Sequence, residues 1–271
     1  MKIVTKSSMD EAALKLRLIV YGEPGTGKTW LGASGCLDEL TSPTLFVEYR
    51  SQISSLKGNP KYVKAIEDGQ LLIVSLDKYD ELSAVYTWLF RGRGSIAGLD
   101  KLMESAGHAD DVMPKTVVID SVTELQRSEV MRRAGNPEGK FLTDVAAPEI
   151  RDWNTLLNQF TLLAHLFFDL PYNIVFGGLE DVDYGEHAIG EAPPITGYRL
   201  AMQGQAKRQF PAYAMTLMRL DRAPSNSNAF NIGYTRSVKA KTKDQTGVLP
   251  DMIPNPTVPL LVKLLNKKLG G

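Results

Sequence analysis

The stretch that most limits what this chain can fold into is Gly22-Glu23-Pro24-Gly25-Thr26-Gly27-Lys28-Thr29. It fits G-x-x-x-x-G-K-[ST], the pattern of a phosphate-binding P-loop. Such a loop needs a strand before it and a helix after it. Leu16-Arg17-Leu18-Ile19-Val20-Tyr21 is apolar and β-branched and reads as the strand, and Trp30-Leu31-Gly32-Ala33-Ser34-Gly35-Cys36-Leu37 can form the helix. The glycines permit positive φ and keep side chains clear, so backbone N–H groups can turn toward phosphate oxygens. The positive end of the helix dipole adds to that cradle. Lys28 is expected to reach the β- and γ-phosphates and the Thr29 hydroxyl to ligate Mg²⁺. The run from Gly22 to Trp30, with Glu23, Pro24, Gly25, Thr26 and Gly27 between, is therefore read as the ATP-binding segment. The bland alternative is a Gly-rich turn with a surface lysine, and the flanking pattern weighs against it.

A second anchor lies well downstream in Lys115-Thr116-Val117-Val118-Ile119-Asp120-Ser121. A buried strand ending in an aspartate is what a Walker B element requires, and Asp120 is expected to serve the Mg²⁺ shell beside the P-loop. AAA+ ATPases usually follow this aspartate with a water-activating glutamate, but here the next residue is Ser121. Glu124 lies a helical turn further on, poorly placed for that role. The general base is therefore sought on another strand. Thr44-Leu45-Phe46-Val47-Glu48-Tyr49-Arg50 reads as one, with Glu48 near its C-terminal end, where ligands bind in open α/β sheets. Glu48 is the candidate base, and a solvated edge residue is the competing reading.

Strands and helices alternate along the rest of the chain, which predicts an α/β fold with a mostly parallel sheet. Residues 71–77 and 173–180 are further strands, and 79–91, 121–134 and 147–169 are helical by spacing. The aromatic stripe of the last helix is read as core. Residues 181–203 show no clear periodicity and are expected to form a long loop. The loop carries Tyr184, Tyr198 and Arg199, suited to base stacking and phosphate contact, but also Asp181, Asp183, Glu186 and Glu191, which repel phosphate. Residues 214–220 and 229–238 look like an antiparallel closing hairpin. Lys239, Lys241 and Lys243 then alternate. On a strand they would share one face, either reaching a neighbouring subunit's ATP or a nucleic-acid backbone, or guarding an edge.

The formal net charge of zero excludes a uniformly basic nucleic-acid coat but not local binding loops. The single cysteine, Cys36, excludes an intrachain disulfide. No apolar run reaches the ~18 residues of a membrane span, and the segment after Met1 lacks a signal-peptide core, so a cytoplasmic protein without membrane association is expected. His108 has no partner at metal-ligand spacing.

The chain resembles RecA-like recombinase ATPases, and most closely a phage family of short RecA-core, P-loop single-strand annealing proteins. The resemblance rests on GEPGTGKTW (22–30), TVVIDSVTELQR (116–127), RDWNTLLNQF (151–160), DLPYNIVFGGLE (169–180) and the late hairpin leading into TRSVKAKTKD (235–244). It implies an N-terminal arm at 1–14, a RecA-like core at 15–245 and a C-terminal loop with a short helix at 246–271. It implies ATP- and Mg²⁺-dependent assembly into a filament or ring on single-stranded DNA, in a bacterial host's cytoplasm if phage-encoded. A single-strand binding protein is a further candidate partner. The loops at about 136–148 and 181–203 would correspond to the DNA-facing loops, adding Lys140 to the DNA candidates. Lys239 and Lys241 would fall near cations that cross the subunit interface. The family's catalytic glutamate sits two positions later in the second strand, where this chain has Arg50, so the resemblance leaves Glu48 as its substitute or hydrolysis slow. The chain also has no room for RecA's larger terminal domains. Two other functions fit the P-loop: a nucleotide-gated assembly or loader ATPase without a direct DNA role, and a small-molecule kinase using Arg91 and Arg93, or Arg132 and Arg133, as a lid.

Overall fold

A computed structural model describes residues 14–49, 53–134, 148–186 and 192–267. Its centre is a parallel block in which β1 (Arg17–Gly22) lies between β5 (Asn173–Tyr184) and β7 (Thr216–Arg222). Beyond β5 follow β4 (Thr116–Asp120), β2 (Thr44–Tyr49) and β3 (Leu71–Leu76), all parallel. The other flank is antiparallel: β7 pairs with β8 (Asn231–Tyr234), which pairs with β10 (Met252–Pro254). A two-residue strand, β9 (Lys243–Asp244), also pairs with β7. The expected α/β layout, a mostly parallel sheet flanked by helices with antiparallel strands closing one side, is the layout found.

The central stretches of the parallel strands, such as 18–21, 45–47, 117–119 and 174–176, are apolar because both faces are covered. Alternate residues of β1 serve opposite cores. Ile19 and Tyr21 join the side built on α4 (Leu82–Arg91), α6 (Val122–Arg133) and α7 (Ile150–Phe168). Leu18 and Val20 join the side built on α1 (Lys28–Ala33), α3 (Pro60–Glu67) and the last helix, α9 (Val258–Lys267). The aromatic stripe of α7 is core: Phe160 and Phe167 are buried against Phe176 and its neighbours. Residues 246–267 are not a detached tail: β10 extends the sheet, and Leu261, Val262 and Leu265 of α9 enter the core shared with Val20 and Leu31. Two short helices, α2 (Ser54–Lys57) and α5 (Ala97–Ser105), complete the connections before β4, and a third, α8 (Ala206–Gln209), precedes β7.

Two expectations need correction. Residues 181–203 are not a loop throughout: β5 continues to Tyr184 and turns back through β6 (Ile195–Leu200) as an antiparallel hairpin. The missing apolar alternation has a physical cause: only Leu200 and the ring of Tyr198 pack on the core, and the other hairpin residues meet polar groups or water. Lys239, Lys241 and Lys243 do not share a strand face. Only an isolated bridge between Tyr198 and Ala240 orders that stretch, and Lys243 alone enters β9. His108 is structural, its ring within 2.7 Å of the Gly69 carbonyl oxygen.

Candidate nucleotide site

The strand order puts the two sequence anchors on one edge. β5 separates β1 from β4, so the P-loop after β1 and Asp120 at the end of β4 open on the same side of the sheet. The Thr29 hydroxyl and Asp120 Oδ2 lie 2.7 Å apart, a hydrogen bond across 91 residues of sequence. Asp120 leans over Gly177 of β5: a Cβ at that position would fall 2.5 Å from Asp120 Oδ1. Any larger residue would displace the carboxylate. Asp120 is followed by Ser121, whose hydroxyl caps α6 by accepting from the Glu124 amide at 3.2 Å. Glu124 itself turns away to Arg127, at 2.7 Å.

The P-loop is shaped as a cradle. Gly25 and Gly27 hold φ of 80° and 95°, values that favour glycine. The Lys28 ammonium donates to the Gly22 and Glu23 carbonyl oxygens at 2.8 and 2.7 Å, which holds it inside the loop. Thr26 is buried and ties the loop to itself through the Glu23 carbonyl, at 2.9 Å. Burial lowers the Lys28 pKa, opposed by the carboxylates of Asp120, Glu180 and Glu23. Burial raises the Asp120 pKa; the Thr29 hydrogen bond and the Lys28 charge oppose this, while Glu48 adds to it. A cation placed between Thr29 and Asp120 would relieve that cost, and hard oxygen donors suit Mg²⁺. Among the described residues no group of three or more His, Cys, Asp or Glu could hold a metal.

Glu48 is only 2 % exposed and stands directly across from Asp120 in the β2–β4 register. Two carboxylates thus sit side by side at the mouth of the loop. Arg50 and Lys140 fall outside the described residues.

Several neighbours of the loop have no signature in the sequence. The Asn231 side-chain amide donates to the Thr26 carbonyl oxygen at 3.0 Å, from 205 residues away. Phe230 stacks on Trp30 with ring centroids 5.8 Å apart. The Arg222 guanidinium lies against the loop, since a Cβ on Gly25 would fall 2.9 Å from its Nη2. Arg222, Phe230 and Asn231 lie at the end of β7, in the β7–β8 connection and at the start of β8, which the sequence reads only as a closing hairpin; nothing in it reveals their packing on the P-loop.

The other predicted residues gather around the β5–β6 hairpin. Arg199 is engaged internally: it pairs with Asp181 at 2.8 Å and with Asp183. Burial would raise the Asp181 carboxyl, but the Arg199 and backbone hydrogen bonds hold it below its usual value. The Tyr198 ring carries the Arg219 guanidinium at 3.9 Å, and Arg219 pairs with Glu180 at 2.6 Å. Tyr184 is 62 % exposed. Lys239 and Lys241 are exposed and line a cavity with Tyr184, and Lys241 lines another with Lys207 and Arg208. The hairpin also reaches the phosphate loop's own strand: the Tyr21 hydroxyl donates to the Lys241 carbonyl oxygen at 2.8 Å. Arg93 is tied to Asp100, and Arg132 and Arg133 pair with Glu129, so among the described residues these candidate lid arginines are engaged away from the P-loop. No helix of the described residues is long and apolar enough to cross a membrane.

No curated protein matches the chain. Among solved structures it is similar to a KaiC-like protein from the hyperthermophilic archaeon Pyrococcus horikoshii OT3, at 13 % identity and a TM-score of 0.44. That similarity covers 88 % of this chain and 83 % of the other. A family model described as an AAA domain matches residues 14–247, and with the P-loop, Asp120 and the intervening strand in place the chain belongs to that AAA-domain family.

Proposed function

We propose that this protein is a Mg²⁺-dependent ATPase that acts on single-stranded DNA, in the manner of the short RecA-core annealing proteins it resembles. The observation that carries the ATPase part is the 2.7 Å contact between Thr29 and Asp120, which brings the two halves of a Mg²⁺–phosphate site together. In this reading the loop amides and Lys28 hold the phosphates, and Thr29 and Asp120 hold the metal. Mg²⁺, when bound, neutralises charge developing on the phosphoryl oxygens. Glu48 orients and deprotonates the attacking water from its place beside Asp120. The burial of Glu48 speaks against a solvated edge residue, since such a carboxylate would not be 2 % exposed.

The DNA part rests on the exposed cations Lys239, Lys241 and Arg208 around the hairpin, together with exposed Tyr184. Cations set near an aromatic ring suit a single strand's backbone and bases. Arg199 and Tyr198 are support rather than contact in this reading, because each already has an internal partner. A homo-oligomeric filament or ring with ATP at the subunit boundary is part of the same proposal.

The test is ATP hydrolysis with and without single-stranded DNA, for wild type and Lys28→Ala. The expected outcome is several-fold stimulation by DNA, abolished in the variant. Hydrolysis indifferent to DNA, with no DNA binding under ATP or a non-hydrolysable analogue, would shift the reading to a nucleotide-gated assembly or loader ATPase.

A further inference from the structure

The cavity beside the P-loop, about 230 Å³, is lined by Lys28 and Thr29 on one side and by Trp30, Ser55 and Phe230 on the other. Its two aromatic rings are exposed: Trp30 is 38 % and Phe230 54 % open to solvent. They come from distant parts of the chain and meet in a stacked pair, centroids 5.8 Å apart and planes 30° from parallel.

Each ring is held in place. The Trp30 indole N–H donates to the Ser55 carbonyl oxygen at 3.1 Å, and the Tyr62 hydroxyl donates to the Trp30 carbonyl oxygen at 2.8 Å. Tyr62 also packs against the indole, with centroids 6.4 Å apart. On the other side, the Asn255 side-chain oxygen accepts the backbone N–H groups of Phe230 and Asn231 at 2.8 and 3.3 Å. Asn255 takes a φ of 45° in doing so, a conformation that Asn tolerates better than most residues. Phe230 rests on the loop itself: a Cβ on Gly27 would fall 3.3 Å from Phe230 Cε1. Held, exposed and contiguous with a phosphate cradle, such a pair has a purpose that packing alone does not supply.

We propose that Trp30 and Phe230 form the platform on which the base of the bound nucleoside triphosphate stacks, with Asn255 and Asn231 as positioning residues. The proposal rests on the nucleotide-binding reading above. Phosphates seated on Lys28 and Thr29 leave the sugar and base to emerge toward residue 30, where the rings begin. Stacking on an aromatic face is favourable for any base, so the platform supplies affinity more than base identity. It also gives the C-terminal segment a role at the site, since Asn255 sets where Phe230 stands.

The test compares binding of ATP with binding of inorganic tripolyphosphate, both with Mg²⁺, by titration calorimetry on the full chain. Wild type is expected to bind ATP more tightly than tripolyphosphate. Phe230→Ala and Trp30→Leu are expected to lose about tenfold in ATP affinity, in the range of one base–aromatic stack, and nothing for tripolyphosphate. Phe230→Tyr is expected to behave as wild type. Variants that bind ATP as wild type does would overturn the platform while leaving the ATPase reading intact. So would equal losses for ATP and tripolyphosphate, because the rings would then only shape the loop. A wild type that binds neither ligand would bring down the nucleotide reading and the platform with it.

Discussion

Around the P-loop, charged groups are buried and aimed into a cradle, whereas along the β5–β6 hairpin the buried charges are already spent on one another. Lys28, Asp120 and Glu48 sit within one small volume, and the shifts of Lys28 and Asp120 record the cost of burying them. Arg199 with Asp181 and Asp183, and Arg219 with Glu180, close their own accounts instead. What remains outward at the hairpin is exposed: Tyr184, Lys239 and Lys241. A buried lysine beside a buried carboxylate, each shifted by its burial, is the mark of a site organised before its ligand arrives. Exposed lysines attract a polyanion only through a field that salt screens. The two regions touch through Tyr21, whose hydroxyl reaches the Lys241 backbone one residue before the P-loop begins.

The comparison breaks most readily at Asp120. Asp120→Asn is expected to lower ATP hydrolysis by on the order of a hundredfold or more, as loss of a preorganised transition-state group does. The same change is expected to raise the thermal stability of the ligand-free protein at neutral pH. The wild-type carboxyl has a folded pKa above its unfolded value. Its contribution to stability is therefore full below the usual aspartate range and is lost as pH rises through the folded value. Unfolding temperatures across pH should show the variant's advantage shrinking toward acid, and an advantage independent of pH would mean that Asp120 carries no such burden.

Glu48→Gln separates base from bystander. A fall in kcat of about 10²- to 10⁴-fold with ATP affinity retained is expected of a general base. A variant with wild-type turnover would return Glu48 to the structural role of a buried strand residue.

The smallest effect concerns the hairpin. Removing both Lys239 and Lys241 is expected to flatten the salt dependence of single-stranded DNA affinity by about 1.4 in log–log slope, about 0.7 for each cation. Arg199→Ala should leave that slope as it is, because its charge is matched by Asp181 and Asp183. A slope that changes as much for Arg199 as for the lysines would erase the distinction between paired and outward charge.

The central block was legible because its residues obey local rules. β1, β2, β4 and the first half of β5 each hold an unbroken apolar stretch of three or more residues, which suits strands buried on both faces. The helix over Ile150–Phe168 follows from its aromatic spacing. The hairpin at Asp181–Leu200 was illegible for the opposite reason: only Tyr198 and Leu200 pack on the core, too few to display a period. Arg199 looked like a phosphate ligand because its residue type suits one, yet its carboxylate partners lie on the facing strand, where only pairing register puts them. Phe230 and Asn231 read only as part of a closing strand and Asn255 only as part of a proline-rich loop, so nothing local marks them as neighbours of the P-loop.

By itself, then, the sequence determined the phosphate loop, the strand that ends in Asp120, and the parallel sheet that needs both. These depend on short-range pattern: glycine spacing, apolar runs, a carboxylate at a strand end. Tertiary structure alone decided what surrounds the loop. Bringing Thr29 to Asp120, Glu48 across from Asp120, and Phe230 onto Trp30 depends on strand order and register. Those are set by how the two cores close over the sheet, a sum of many apolar contacts that no local stretch of residues encodes.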